Sequence, residues 1–125
     1  MASILIVSGS SEGDFYLLGR EPVTVGRGEG CHIQIVDDSV SRQHLLIHPG
    51  SQAGAYIVQD LESANGTLVN ERPITAEAPL ADGDIIGIGQ TELMFSSVDF
   101  ADRETAFQHY RRRGEGGKST IIRRK

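Results

Sequence analysis

Three short stretches carry the polar groups that a charged ligand would need. Gly26-Arg27-Gly28 follows the apolar run Val23–Val25, and Ser41-Arg42-Gln43-His44 precedes Leu45–Ile47. Asn65-Gly66-Thr67 opens a third run, which Asn70 closes. A guanidinium fork, hydroxyl donors and backbone N–H groups left open by small residues are the chemistry that holds one dianion. Other chemistries fit less well. Ser41 and His44 stand three apart with no oxyanion motif or third member, so they make a poor nucleophile–base dyad. Cys31-His32 suggests a reactive thiol, but a lone cysteine is more often inert filler. Asp37, Asp38, Asp60, Asp82 and Asp84 match no calcium-loop spacing and read as solvated or as caps on loop backbone. Gly117-Lys118-Ser119-Thr120 imitates the end of a phosphate-binding P-loop, yet Arg112 stands where that pattern needs glycine. No metal set, cofactor loop or catalytic nucleophile is assembled, so a non-enzymatic protein is expected.

The elements that must position these loops are short and β-branched. Ile4–Val7, Phe15–Leu18, Val23–Val25, Ile33–Val36, Leu45–Ile47, Tyr56–Val58, Thr67–Val69, Ile85–Ile88 and Leu93–Phe95 each span three or four residues. Turn chemistry separates most of them, as at Gly28-Glu29-Gly30, Asn65-Gly66 and Asp82-Gly83. Many short strands with close turns predict an all-β antiparallel sandwich or barrel over residues 1–98. The composition changes at Asp99. Phe100 and Phe107 are seven apart and Phe107 and Tyr110 three apart, which allows one helical face over 99–113. Gly114-Glu115-Gly116-Gly117 then breaks any helix, and a flexible basic peptide follows to Lys125.

The 125 residues suit one domain with a modest tail. The net charge of −5 conceals a split. Residues through Val98 hold four Lys and Arg against thirteen Asp and Glu, a net −9; residues from Asp99 hold eight against four, a net +4. An acidic body is a poor general partner for nucleic acid, whose phosphates need a basic face. Basic runs such as Arg111-Arg112-Arg113 at a terminus usually solvate the tail. The apolar run Ile4–Val7 is too short for a signal peptide or membrane span, and a single cysteine fits a reducing compartment, so a cytoplasmic protein without membrane insertion is expected.

The order and spacing of these motifs resemble the forkhead-associated (FHA) domain, a phosphothreonine-peptide reader. The resemblance rests on Val25-Gly26-Arg27, Ile33 and Ile35, and the run Asp37 to His44. It continues through Asp60-Leu61-Glu62-Ser63-Ala64-Asn65-Gly66-Thr67-Leu68-Val69-Asn70 and Leu80-Asp82-Gly83-Asp84-Ile86-Ile88-Gly89, reaching from about Ser3 to Ser97. It implies an eleven-stranded sandwich of two sheets that binds peptide with loops at one end. By position, Arg27 and Ser41 would contact the phosphate and flanking backbone, and Arg42 would add a second cation. Asn65 would bond the peptide main chain and Asn70 would add a contact further along. Gly26, His44, Gly66 and Thr67 would support the loops. The family often places threonine or serine where this chain has Ala64, and losing a hydrogen bond to a charged group costs about 1.5–3 kcal/mol, unless Ser63 or Thr67 compensates. Ser39 takes a position that is arginine in some members, which argues against selection for acidic residues downstream of the phosphothreonine.

The function implied is non-catalytic binding of a phosphothreonine-containing protein in Ser/Thr kinase signalling, with no cofactor. Thr105 and Thr120 in the basic tail are candidate phosphorylation sites, which makes self-association through the tail a candidate mode. The alternative is a phosphorylation-independent scaffold that uses a sheet face or the helix over 99–113.

Overall fold

The computed structural model describes residues 2–52, 54–97 and 108. Eleven strands form in chain order: β1 Ser3–Ser8, β2 Phe15–Leu17, β3 Val23–Gly26, β4 Ile33–Gln34, β5 Leu45–Pro49, β6 Tyr56–Asp60, β7 Leu68–Val69, β8 Arg72–Pro73, β9 Glu77–Leu80, β10 Ile85–Ile88 and β11 Thr91–Ser96. They make two sheets. One runs β2-β1-β11-β10-β7-β8 and the other β4-β3-β5-β6-β9. This is the expected all-β sandwich. The domain boundary and the helix expected over 99–113 fall outside the described residues, except that Gln108 has helical backbone and is exposed.

Period-two alternation decides which side chains enter the core. Ile4 and Ile6 of β1, Leu93 and Phe95 of β11, and Ile86 and Ile88 of β10 point inward from the first sheet, each at 1% exposure or less. Val25, Leu45, Ile47 and Val58 meet them from the second sheet. The Tyr56 ring lies 5.7 Å from that of Phe95 at 58°, a tilted contact that joins the two layers.

Two details set up the loop end. All pairs are antiparallel except β3 with β4, which run parallel in the register Val25↔Ile33 and Gly26↔Gln34. The chain therefore leaves β3 at Arg27 and returns to the same end before β5 begins. The β7–β8 hairpin turns through Asn70 and Glu71, both at positive φ (52° and 71°), as a two-residue hairpin loop requires.

Candidate functional site

The loops after β3, before β5 and after β6 converge because backbone bonds knit them. Arg27 N–H donates to Ser41 O at 2.9 Å and Gly28 N–H to Arg42 O at 3.0 Å. The Cys31 thiol donates to the same Arg42 carbonyl. This approach is close enough to dictate Gly26, where any Cβ would collide with the carbonyl groups of Ser41 and Arg42. Gly66 is required for a different reason, its φ of +83°.

His44 locks the arrangement from below. It is fully buried, and its backbone N–H donates to Val25 O while its carbonyl accepts from Leu61 N–H. Nδ1 accepts the Ser41 N–H at 3.1 Å. That bond requires an unprotonated Nδ1, so Nε2 carries the proton it gives to Gly66 O at 2.8 Å. One neutral imidazole thus fixes the spacing between the serine loop and the asparagine loop.

Asp60 performs the same task for the loop after β6. Its carboxylate accepts the Ser63 hydroxyl at 2.6 Å, the buried Thr67 hydroxyl at 2.7 Å and the Ser63 N–H at 3.2 Å. The Ser63 oxygen in turn accepts Gly66 N–H. Burial alone would raise the Asp60 pKa. The Ser63 and Thr67 hydroxyls and the Ser63 amide outweigh it and hold the carboxyl below its usual value. Asp37 is likewise lowered: desolvation opposes ionisation, but Ser39 N–H, Gln90 N–H and the Thr91 hydroxyl overcome it. Those bonds tie the loop before β5 to the β10–β11 turn. Sequence reading grouped both residues with the other carboxylates and missed their specific bracing roles. Asp-x-x-Ser and Asp-x-Ser are the local signals that could have shown them.

On this frame sit the groups able to meet an anion. Arg27 is exposed, and its Nε donates to Val40 O at 2.9 Å, which anchors the guanidinium through one nitrogen and leaves its two NH₂ groups available to a ligand. Among the described residues no carboxylate pairs with Arg27 or Arg42. The Ser41 oxygen accepts the Ala64 N–H at 3.0 Å, which leaves its own proton to give away. Asn65 is exposed and steadied by an Nδ2 bond to Ser39 O. Shallow clefts flank the group: one of about 550 Å³ bounded by Arg42, Gln43 and Glu29, another of about 350 Å³ bounded by Ser39, Asn65, Leu68 and Gln90.

The structure therefore brings Arg27, Ser41, Arg42 and Asn65 to one end, with Gly26, His44, Gly66 and Thr67 beneath them. Asn70 is placed otherwise. Its amide bridges Asp84 at 2.8 Å and Ile85 N–H at 3.0 Å, which pins the β7–β8 turn to β10. Ser63 and Thr67 both give their hydroxyl protons to Asp60, so neither is placed to replace the donor missing at Ala64. Thr105 and Thr120 lie outside the described residues. Among the described residues no cluster of His, Cys, Asp and Glu could hold a metal, and no helix is long and apolar enough to cross a membrane.

Comparison with known proteins agrees with this geometry. The family model of the FHA domain matches residues 23–89. FhaA of Mycobacterium tuberculosis is 36% identical over 92 residues, covering 74% of this chain and 17% of that protein. The oxoglutarate dehydrogenase inhibitor of Corynebacterium diphtheriae is 38% identical over 95 residues, covering 75% of this chain and 64% of its own length. A solved FHA domain, from work on phosphothreonine-dependent FHA interactions, superposes with a TM-score of 0.70 at 33% identity, covering 79% of this chain and 98% of that one. The chain thus spans less than two-thirds of either relative but nearly all of an isolated domain.

Proposed function

Since the chain belongs to the FHA domain family, we propose that its loop end binds phosphothreonine on a protein partner in Ser/Thr kinase signalling, without catalysing a reaction. The observation that supports this most is the pairing of Arg27 and Ser41. One is exposed with Nε anchored and its two NH₂ groups available; the other accepts Ala64 N–H and keeps its own proton to give. A phosphate brings about −1.5 to −2 charges and three strong acceptors. Arg27 and Ser41 take the phosphate, Arg42 adds a second cation, and Asn65 bonds the peptide backbone as it crosses between the clefts. Asn70 acts further along, through the turn it holds.

Selectivity for the phosphorylated form follows from desolvation. Without phosphate these donors stay hydrated, and the peptide offers little else to an acidic body. That body repels dianions at long range, so recognition depends on local cations and favours Lys- or Arg-flanked phosphothreonines. Phosphorylated Thr120, and secondarily Thr105, would give such a ligand in cis or on a neighbouring molecule. Titration of a degenerate phosphothreonine library beside its unphosphorylated twin tests the reading. Binding confined to the phosphorylated library supports it; equal binding of both, or of neither, moves the function to phosphorylation-independent scaffolding.

A further inference from the structure

The outer face of the six-stranded sheet is apolar and buried, although it points away from the core. Alternation along β1 and β11 turns Leu5, Val7 and Met94 to this side, and they form a cluster of their own with Phe15 and Ile85. Leu5 and Met94 retain 1% exposure and Val7 5%. Ser3 and Ser96, paired across the same two strands, also retain 1%. Lateral neighbours on one face of a sheet do not bring side chains to that level; a layer above them does. The second sheet of the sandwich lies on the opposite side, against Ile4, Ile6, Leu93 and Phe95.

We propose that this face is the docking site of the chain's own segment 99–113, which lies across β1 and β11 as a third layer. The chain leaves β11 at Ser96, beside the face, and the segment follows within three residues. Its apolar residues Phe100, Phe107 and Tyr110 recur at helical spacing. Gln108 is helical and exposed, and in a helix it would be turned about 100° from Phe107, as a solvent-side neighbour should be. Length agrees: fifteen helical residues rise about 22 Å, and a six-residue strand spans about 20 Å. Charge adds little along the segment as a whole, where Asp99, Asp102 and Glu104 offset three of its four arginines, but Arg111 to Arg113 at its end would lie over a body of net −9. Docking in cis removes from solvent both the sheet face and the apolar helix stripe, the two surfaces that a scaffold function would need. The loop end with Arg27 and Ser41 remains the open surface, and Thr120 follows seven residues after the helix.

The test uses the full chain with labelled methyl groups on Leu5, Val7 and Met94, mixed with unlabelled chain so that contacts within and between molecules are separated. The expected result is intramolecular nuclear Overhauser contacts from these methyls to the Phe100, Phe107 or Tyr110 rings. Phe107→Asp is expected to abolish them, to increase binding of an apolar fluorescent dye and to speed amide exchange in β1 and β11. The Ser41 and His44 amide resonances should stay in place. Intermolecular contacts would assign the face to a second copy and overturn the proposal. So would methyls that are open to a soluble paramagnetic probe, or buried without contact to any tail ring.

Discussion

Replacing Ser41 with alanine separates ligand binding from loop architecture. In the free protein the Ser41 oxygen accepts one bond, from Ala64 N–H at 3.0 Å. Ala64 is exposed, so water replaces that acceptor and the stability cost stays within about 1 kcal/mol. The Ser41 backbone N–H keeps its bond to His44 Nδ1, because the substitution leaves the main chain intact. Binding changes far more. The hydroxyl proton would meet a phosphate oxygen, and a bond to a charged acceptor contributes about 1.5–3 kcal/mol. At 1.4 kcal/mol per tenfold, Ser41→Ala weakens phosphopeptide binding by about ten- to 150-fold. Isothermal titration with a phosphothreonine peptide, beside urea unfolding of both proteins, reads the two quantities independently. An unchanged Kd would refute the donor role. A loss of several kcal/mol in stability would refute the claim that the hydroxyl serves the ligand more than the fold.

Other outcomes follow from the same geometry. Ala64→Ser is expected to restore a phosphate donor and, where the bond is fully made, to tighten binding by about tenfold or more, checked by the same titration; no gain would mean that position 64 faces away from the phosphate. Gly26→Ala forces a Cβ against the Arg42 carbonyl and is expected to destabilise by about 1–3 kcal/mol or more in urea unfolding. Acid should loosen the fold through Asp37 and Asp60. Both carboxyls are lowered in the folded state, so their stabilisation is fully present above the unfolded carboxylate pKa of about 4 and is lost as pH falls through the lowered folded values. Urea midpoints should therefore drop as pH falls from about 4 toward 3, with the drop reduced in Asp60→Asn.

Much of this was legible in the sequence, for physical reasons. Strands that bury one face announce themselves by β-branched runs, and Ile4–Val7, Val23–Val25 and Leu93–Phe95 all appear as strands. Hydrophobicity could not reveal β8 and β9. Arg72-Pro73 is an exposed two-residue edge strand, and Glu77–Leu80 is an edge strand without β-branched residues, in which Pro79 sits opposite Ile57 because an edge tolerates a missing donor. The run Ile33–Val36 extends two residues past the strand, since β4 ends at Gln34 and Val36 is 66% exposed. The parallel β3–β4 pair is a long-range arrangement that local pattern does not encode. At the site, residue types and order were enough to gather Arg27, Ser41, Arg42 and Asn65. What each side chain already holds was not legible, because it depends on loop convergence. The structure alone shows Ser63 and Thr67 committed to Asp60, and Asn70 to Asp84 and Ile85.

The most direct measurement is the phosphopeptide affinity of Arg27→Ala, titrated beside wild type against phosphorylated and unphosphorylated forms of one peptide. The account predicts that wild type binds only the phosphorylated form, and that Arg27→Ala loses it while unfolding at a similar urea concentration. Phosphate-dependent binding that survives in Arg27→Ala at full strength would contradict it.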